Sequence, residues 1–206
     1  MMKITKITRQ VKHPERYSIF VDDEYAFSLG ETELLNQKLF GGQAIDSHQL
    51  EVLKKLSVDD KTFSNVLRYA AIRPHSIWEL QSYLERKRVT EGTTKKILEK
   101  LSSAGLADDE AFARIWIENR QLLRPSSKRR LVQELRKKHI DEQIIQRTLV
   151  ECQIDDTVTI SELIKKRRLA KYHHDRLKLM QYLTRQGFDY TDIKTVLSGE
   201  SDDIAK

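Results

Sequence analysis

The stretch LADDEAFARIWIENRQLLRPSSKRRLVQELRKKHI, residues 106–140, decides the fold. Asp108-Asp109 reads as a helix N-cap, with Phe112 opening a helical pattern behind it. Pro125 lacks a backbone donor and disfavours a helical residue before it, so Arg124-Pro125 ends one helix and starts the next. In the segment Ser127 to Lys138, a rotation of about 100° per residue puts Leu131, Val132 and Leu135 on one buried stripe. Arg129, Arg130, Arg136 and Lys137 fall on the opposite arc, and Lys128 and Lys138 flank the stripe, where they can bury their stems and keep their charge in water.

The same pattern recurs along the chain. Aspartate doublets at Asp59-Asp60, Asp108-Asp109 and Asp155-Asp156 lie 49 and then 47 residues apart, and Phe63 matches Phe112. Leu80, Leu84 and Leu98 match Leu131, Leu135 and Leu149 at an offset of 51, and these match Leu179, Leu183 and Leu197 at an offset of 48. Arg73-Pro74 matches Arg124-Pro125. A period of this size marks stacked helical modules, each leaning on its neighbours. The expected fold is therefore mainly α, with three tandem three-helix repeats in an elongated arrangement at residues 58–107, 108–154 and 155–198, followed by a frayed polar tail at 199–206. In the third repeat KYHHD replaces the Arg-Pro break, which leaves its first helix boundary open.

Residues 1–57 read differently. Lys3 to Thr8, Tyr17 to Val21 and Tyr25 to Leu29 are strand-like, with Asp22-Asp23 as a hairpin turn. A small antiparallel sheet of three strands follows, too small to stand alone and so packed on later helices. Glu31 to Phe40 reads as a helix stopped by Gly41-Gly42, and Ser47 as the N-cap of a second one. This N-terminal hairpin plus two helices is an extension to the repeats.

Composition narrows the function. The longest apolar runs fall far short of the roughly 20 residues of a membrane span, and MMKITKITRQ lacks the apolar stretch of about 7 to 15 residues in a signal peptide. A cytoplasmic protein without membrane association is expected, and its single Cys152 suits a reducing compartment. Glycines are sparse, with only Gly92 and Gly105 between Leu50 and Glu151, in keeping with long helices.

Charge is segregated. Residues 120–138 carry eight bases (Arg120, Arg124, Lys128, Arg129, Arg130, Arg136, Lys137, Lys138) against Glu134, and residues 165–178 carry seven (Lys165, Lys166, Arg167, Arg168, Lys171, Arg176, Lys178) against Asp175. With a formal total of +6, the remainder of the chain is net acidic. Local basicity of this kind points to an anionic partner, although most charge runs are simply solvated helix faces. The candidate partner or nucleic-acid contacts are these residues apart from Arg120.

The sequence offers little for catalysis. The doublets are read as caps rather than metal or acid/base pairs, since carboxylates favour the positive end of a helix. The histidines are scattered and read as surface residues, and no phosphate loop or nucleophile elbow is present. No enzyme, cofactor or metal is expected, and no catalytic residue is assigned. Trp78, Trp116, Tyr83 and Tyr182 could stack on bases, but packing is the preferred reading; Tyr83 and Tyr182 align with Glu134, off the buried stripe, and stay candidates for stacking.

Residues 106–140, with their DD-x-x-FA, W-x-x-x-R and R-P-x-S elements followed by the basic ELRKK helix, closely resemble the middle module of the RecX family of bacterial regulatory proteins. RPHSIWELQSYLERK (Arg73 to Lys87) resembles the family's first module, and RYSIFVDDEYAFSLGE is similar to the N-terminal extension of its longer members. The resemblance implies a non-enzymatic tandem-repeat protein that binds the RecA recombinase filament on single-stranded DNA and inhibits its ATPase, strand-exchange and coprotease activities. A monomer is expected from the lack of a long exposed heptad seam. Where the family often has glycine after the basic helix, as at Gly187, this chain has Arg88 and His139, so the turn there depends on a side chain accepting left-handed geometry. The alternative is a direct DNA reader built on helix-turn-helix-like modules, disfavoured because Gln133 is the only amide amid the basic arc. A pure scaffold is disfavoured by the charge segregation.

Overall fold

The computed structural model describes residues 1–165 and 175–203, with side chains to residue 198. The chain folds as two compact units, Met1–Arg73 with Gln81–Ala104, and Pro74–Leu80 with Gly105–Lys206.

The first unit begins with strands β1 (Met2–Arg9), β2 (Arg16–Val21) and β3 (Glu24–Gly30), then helix α1 (Glu31–Asn36) and strand β4 (Ala44–Ile45). The antiparallel sheet has the order β3-β2-β1-β4. Asp22 and Asp23 both take positive φ, at 49° and 68°, the geometry of a two-residue hairpin turn whose twist suits the flanking strands. The fourth strand was not expected: two residues are too few to show alternation. Helix α1 is also shorter than its leucine spacing suggested. Lys38 turns left-handed at φ 49°, and Leu39 N–H bonds back to the Leu34 carbonyl, so both leucines fold onto the sheet well before Gly41.

Helix α2 (Ser47–Ile72) is capped by Asp46, not Ser47. Asp46 accepts from Gln49 N–H at 2.7 Å while the Gln49 side chain accepts from Asp46 N–H at 3.0 Å, a reciprocal pairing that the single Ser47 hydroxyl could not match. The helix then runs on through residues 57 and 58, where the repeat reading drew its first boundary. Asp59 and Asp60 are therefore mid-helix and cap nothing on α2. Asp60 instead accepts from Gly30 N–H at 2.9 Å and pairs with Arg16 at 2.7 Å, beneath the sheet. Arg16 is buried and also donates to the Ser28 carbonyl at 3.0 Å, which satisfies a charge that would otherwise be costly to desolvate. Ile4, Ile19, Phe27, Leu29, Ile45 and Leu53 form this core.

Helices α3 (Ile77–Arg86) and α4 (Glu91–Ser103) follow, then α5 (Asp109–Leu123), α6 (Lys128–Arg136) and α7 (Glu142–Glu151), and finally α8 (Asp156–Lys165), α9 (Arg176–Arg185) and α10 (Tyr190–Asp203). The fold is mainly helical with a small N-terminal antiparallel sheet. In the second unit, α5 to α7 close over Phe112, Ile117, Leu131, Leu135, Ile145 and Leu149, and α8 to α10 over Ile160, Ile164, Leu179, Leu183, Ile193 and Leu197. The leucines aligned by the repeat are buried, Leu98 only in part. The boundary expected inside KYHHD, with His173 and His174, lies outside the described residues. Helix α10 extends through Asp203, so residues 199–203 continue the helix rather than fray: a polar composition forgoes burial but not backbone hydrogen bonds.

Each middle helix ends alike. His139 N–H bonds to the Arg136 carbonyl and Ile140 N–H to that of Leu135; Arg88 and Val89, and Gly187 and Phe188, repeat the two bonds. The pivot residues Arg88, His139 and Gly187 have φ of 58°, 57° and 92°. These are Schellman turns, and they form with arginine and histidine in the left-handed position because the two bonds and the returning apolar residue offset the steric cost.

Candidate nucleic-acid and partner interface

The doublets show how the helices of the second unit are joined. Asp108 caps α5 by accepting from Glu110 and Ala111 N–H, and Asp155 does the same for α8 through Thr157 and Val158. The second aspartate reaches backwards. Asp109 accepts from Ile77 N–H at the start of α3, and Asp156 from Lys128 N–H at the start of α6, both at 2.8 Å. Burial pushes both carboxyls above their ordinary pKa despite these hydrogen bonds. The cap reading thus holds for one aspartate of each of these doublets; the other ties its module to the previous one.

Two equivalent junctions result. In the first, the opening turn of α3 meets the Schellman turn after α6. Ser76 and Glu79 form a capping box, and Glu79 also pairs with Lys138 at 2.7 Å. Trp78 stacks on His139 with ring centroids 4.2 Å apart. In the second, the opening turn of α6 meets the turn after α9. Ser127 caps α6 and donates to the Gln186 carbonyl at 3.2 Å, and Arg130 donates to the Gln186 side chain at 2.6 Å. By the repeat, Arg129 stands where Trp78 stands, and Gly187 where His139 stands. The second junction is consequently open. A groove of about 350 Å³ lies there, lined by Arg129, Arg130, Gln133, Thr184 and Arg185 over Gly187. Gly187 is required: a Cβ at this position would sit 2.8 Å from Ser127 Oγ.

The basic arc expected on α6 is divided rather than uniform. Arg136 forms a two-pronged pair with Glu142, at 2.9 and 3.0 Å, which holds the Glu142 carboxyl below its ordinary pKa. Lys138 is committed to Glu79 and lies 5.3 Å over the Trp116 ring. Glu134, far from being an isolated acid on a solvated face, accepts from Arg120 at 2.7 Å, Trp116 Nε1 at 3.0 Å and Arg130 at 3.4 Å. Arg124, Lys128, Arg129 and Lys137 are exposed and have no ion-pair partner among the described residues. In the other run, Lys165 is exposed at the end of α8, Arg176 is exposed at the start of α9, and Lys178 pairs with Asp175 at 2.7 Å. Lys166, Arg167, Arg168 and Lys171 lie outside the described residues.

Arg185 and Thr184 escaped the sequence reading. The signal was present, since Arg185 aligns with Lys137 at the repeat offset of 48. The aromatic candidates are mostly occupied: Tyr83 stacks on Tyr69 at 4.3 Å, Trp116 is packed on Phe112, and Tyr182 borders the α8–α10 core. His75 departs from the surface reading. It is 4% exposed, immediately before the Ser76 cap, just as the buried Ser126 immediately precedes Ser127. Burial and the nearby Glu118 push the Cys152 thiol up, the opposite of nucleophile activation. Among the described residues no cluster of His, Cys, Asp or Glu is placed to hold a metal, and no helix is long and apolar enough to cross a membrane.

Comparison with known proteins agrees with this architecture. A family model described as the regulatory protein RecX N-terminal domain matches residues 2–46, and one described as RecX, second three-helix domain, matches residues 108–149. A regulatory protein RecX from Halalkalibacterium halodurans is 31% identical over 191 residues, covering 90% of this chain and 72% of that protein. One from Lactobacillus gasseri is 28% identical over 191 residues, covering 90% and 70% respectively. A crystal structure of regulatory protein RecX matches with a TM-score of 0.73 at 26% identity, over 96% of this chain and 100% of that one.

Proposed function

Since the chain belongs to the RecX family of regulatory proteins, we propose that it binds the RecA recombinase filament on single-stranded DNA in the cytoplasm and inhibits its ATPase, strand-exchange and coprotease activities. The observation that carries this reading is the set of exposed cations on and beside α6, namely Arg124, Lys128, Arg129 and Lys137, which form no ion pair with a carboxylate among the described residues. Charge left unpaired on a rigid helix is available to an anionic protein surface or to phosphate. Leu122 and Leu123, 75% and 74% exposed at the end of α5, set an apolar anchor beside Arg124, which suits a protein contact better than bare nucleic acid. Arg136 and Lys138 contribute less to binding in this reading, being held by Glu142 and Glu79. Inhibition then follows from occupancy: a ligand spanning neighbouring subunits restrains the motions of their nucleotide cycle.

The test is a pull-down with the recombinase, with and without single-stranded DNA and a nonhydrolysable nucleotide, beside an ATPase assay. Retention on the assembled filament and a fall in ATPase activity are expected, and Arg124→Glu with Lys137→Glu should weaken both while leaving the helical circular dichroism intact. Absence of retention under every condition refutes the reading.

A further inference from the structure

The open junction between α6 and the turn after α9 has the chemistry of a binding site. Its wall consists of three guanidinium groups, Arg129, Arg130 and Arg185, with the Gln133 amide and the Thr184 hydroxyl, and no carboxylate lines it. Arginine presents a planar fork of donors that matches phosphate oxygens, and three such groups around one recess concentrate that match. The groups are held from behind. Arg130 is fixed by Gln186 at 2.6 Å and pairs with Glu134 at 3.4 Å, and Arg185 donates through Nε to the Gln181 carbonyl at 3.2 Å, which leaves its terminal nitrogens without a hydrogen bond among the described residues. Arg129 has no ion-pair partner among the described residues, with Asp189 near enough only to feel its field. At the N-terminus of α6, Asp156 and Ser127 already take the Lys128 and Arg130 N–H groups, so the side chains carry the site.

We propose that this groove holds a backbone phosphate of single-stranded nucleic acid. The lining argues against other anions. It has no aromatic ring to stack a free nucleotide's base and no apolar anchor to seat an acidic peptide. A phosphodiester needs neither, since its base can remain outside. Gly187, bare of a side chain, lets the Ser127 end of α6 sit close against the turn after α9, which brings Arg130 and Arg185 to one recess. A flexible single strand can bend one phosphate into such a recess, whereas a duplex presents its phosphates on a stiff rod. The first junction makes the contrast: there the Trp78–His139 stack and the Lys138–Glu79 pair fill the equivalent space.

This inference rests on the filament-binding reading only for its biological setting, and the experiment separates the two. Binding of a short fluorescent oligothymidylate to the full chain is followed by anisotropy across a salt series. Arg129→Gln with Arg185→Gln is compared with a control losing the same charge elsewhere, Lys55→Gln with Lys95→Gln. Losing the groove's one single-strand phosphate contact should flatten the log–log salt slope by about 0.7 and weaken binding about tenfold, with little change in the control. A slope and affinity equal to wild type, or losses no larger than in the control, overturn the assignment. So does full displacement of the oligonucleotide by millimolar inorganic phosphate at constant ionic strength, which would make the groove a site for free phosphate. If the oligonucleotide results hold but the chain is not retained on the recombinase filament, the proposed function fails and the groove stands. If retention holds while the arginine variant binds oligonucleotide as wild type does, only the groove assignment fails.

Discussion

The first junction of the second unit is closed and the second is open, although both are built from the same backbone parts. Each has a serine cap, an aspartate reaching back to the first N–H of the middle helix, and a Schellman turn beneath. The difference lies in four pairs of aligned residues. Glu79 with Lys138 becomes Arg130 with Gln186, Trp78 becomes Arg129, and His139 becomes Gly187. An ion pair and a ring stack give way to one hydrogen bond and a basic groove. Holding two modules together and presenting charge to a partner are therefore alternative uses of one geometry, and side-chain identity selects between them.

The comparison can be broken most severely at Glu79. Glu79→Ala removes one half of the capping box and leaves Lys138 without its carboxylate in a largely buried setting, so a loss of about 3 kcal/mol is expected in chemical denaturation. The aligned change Arg130→Ala should cost less than half as much, because Gln186 and Glu134 are left with access to water. Equal losses would mean that the two junctions are held alike.

Next in size is the pivot. Gly187→Ala meets Ser127 Oγ and a left-handed backbone, and should destabilise by about 1–2 kcal/mol. At Arg88, also left-handed, the reverse exchange Arg88→Gly should stabilise by up to about 1 kcal/mol. His139→Gly gains the same relief but forfeits the ring stack on Trp78, so its melting temperature should move less than that of Arg88→Gly.

The tethering aspartates give a pH signature. Their folded pKa values are raised, so they bind protons in the folded state more readily than in the unfolded one. Their contribution to stability is accordingly greatest below the ordinary carboxylate pKa and declines as pH rises through the raised value. Asp155, whose hydrogen bonds from Thr157 and Val158 lower its pKa, works in the opposite sense: its contribution is present above the ordinary value and is lost as pH falls through the depressed one. Asp109→Asn with Asp156→Asn keeps an oxygen acceptor and should remove the decline between mildly acidic and neutral pH, as followed by urea midpoints. Asp109→Ala and Asp156→Ala remove the acceptor, and each should cost about 1 kcal/mol at neutral pH.

The smallest expected effect on stability is at the groove. Arg129→Gln should alter the denaturation midpoint by less than about 0.5 kcal/mol, since the side chain is exposed and has no ion-pair partner among the described residues. A larger loss would show that Arg129 holds the junction, as Trp78 does in its counterpart.

Much of this was legible in the amino-acid order. Leucine spacing located the helices, the Arg-Pro breaks located their ends, and the hairpin aspartates adopt the turn read for them. The doublets were legible only in part. That an aspartate caps the helix directly after it is a local property, visible in its neighbours; that Asp109 holds the start of α3 joins residues 32 positions apart and leaves no periodic trace. The continuity of α2 through Asp59-Asp60 was hidden for the same reason, because the partners that make those carboxylates acceptable in mid-helix, Arg16 and Gly30, come from the sheet.

Sequence by itself determined most of the helices, because a helix and its caps depend on residues within a turn or two of each other and a hydrophobic stripe is a matter of spacing. It also placed cations in excess on α6. Which of those cations remain available was decided only in three dimensions. Lys138 is paired with a carboxylate 59 residues away and Arg136 with one 6 residues away, while Arg129 lines a groove that no carboxylate lines, and neutralisation depends on distances of a few ångströms that only the assembled helices set.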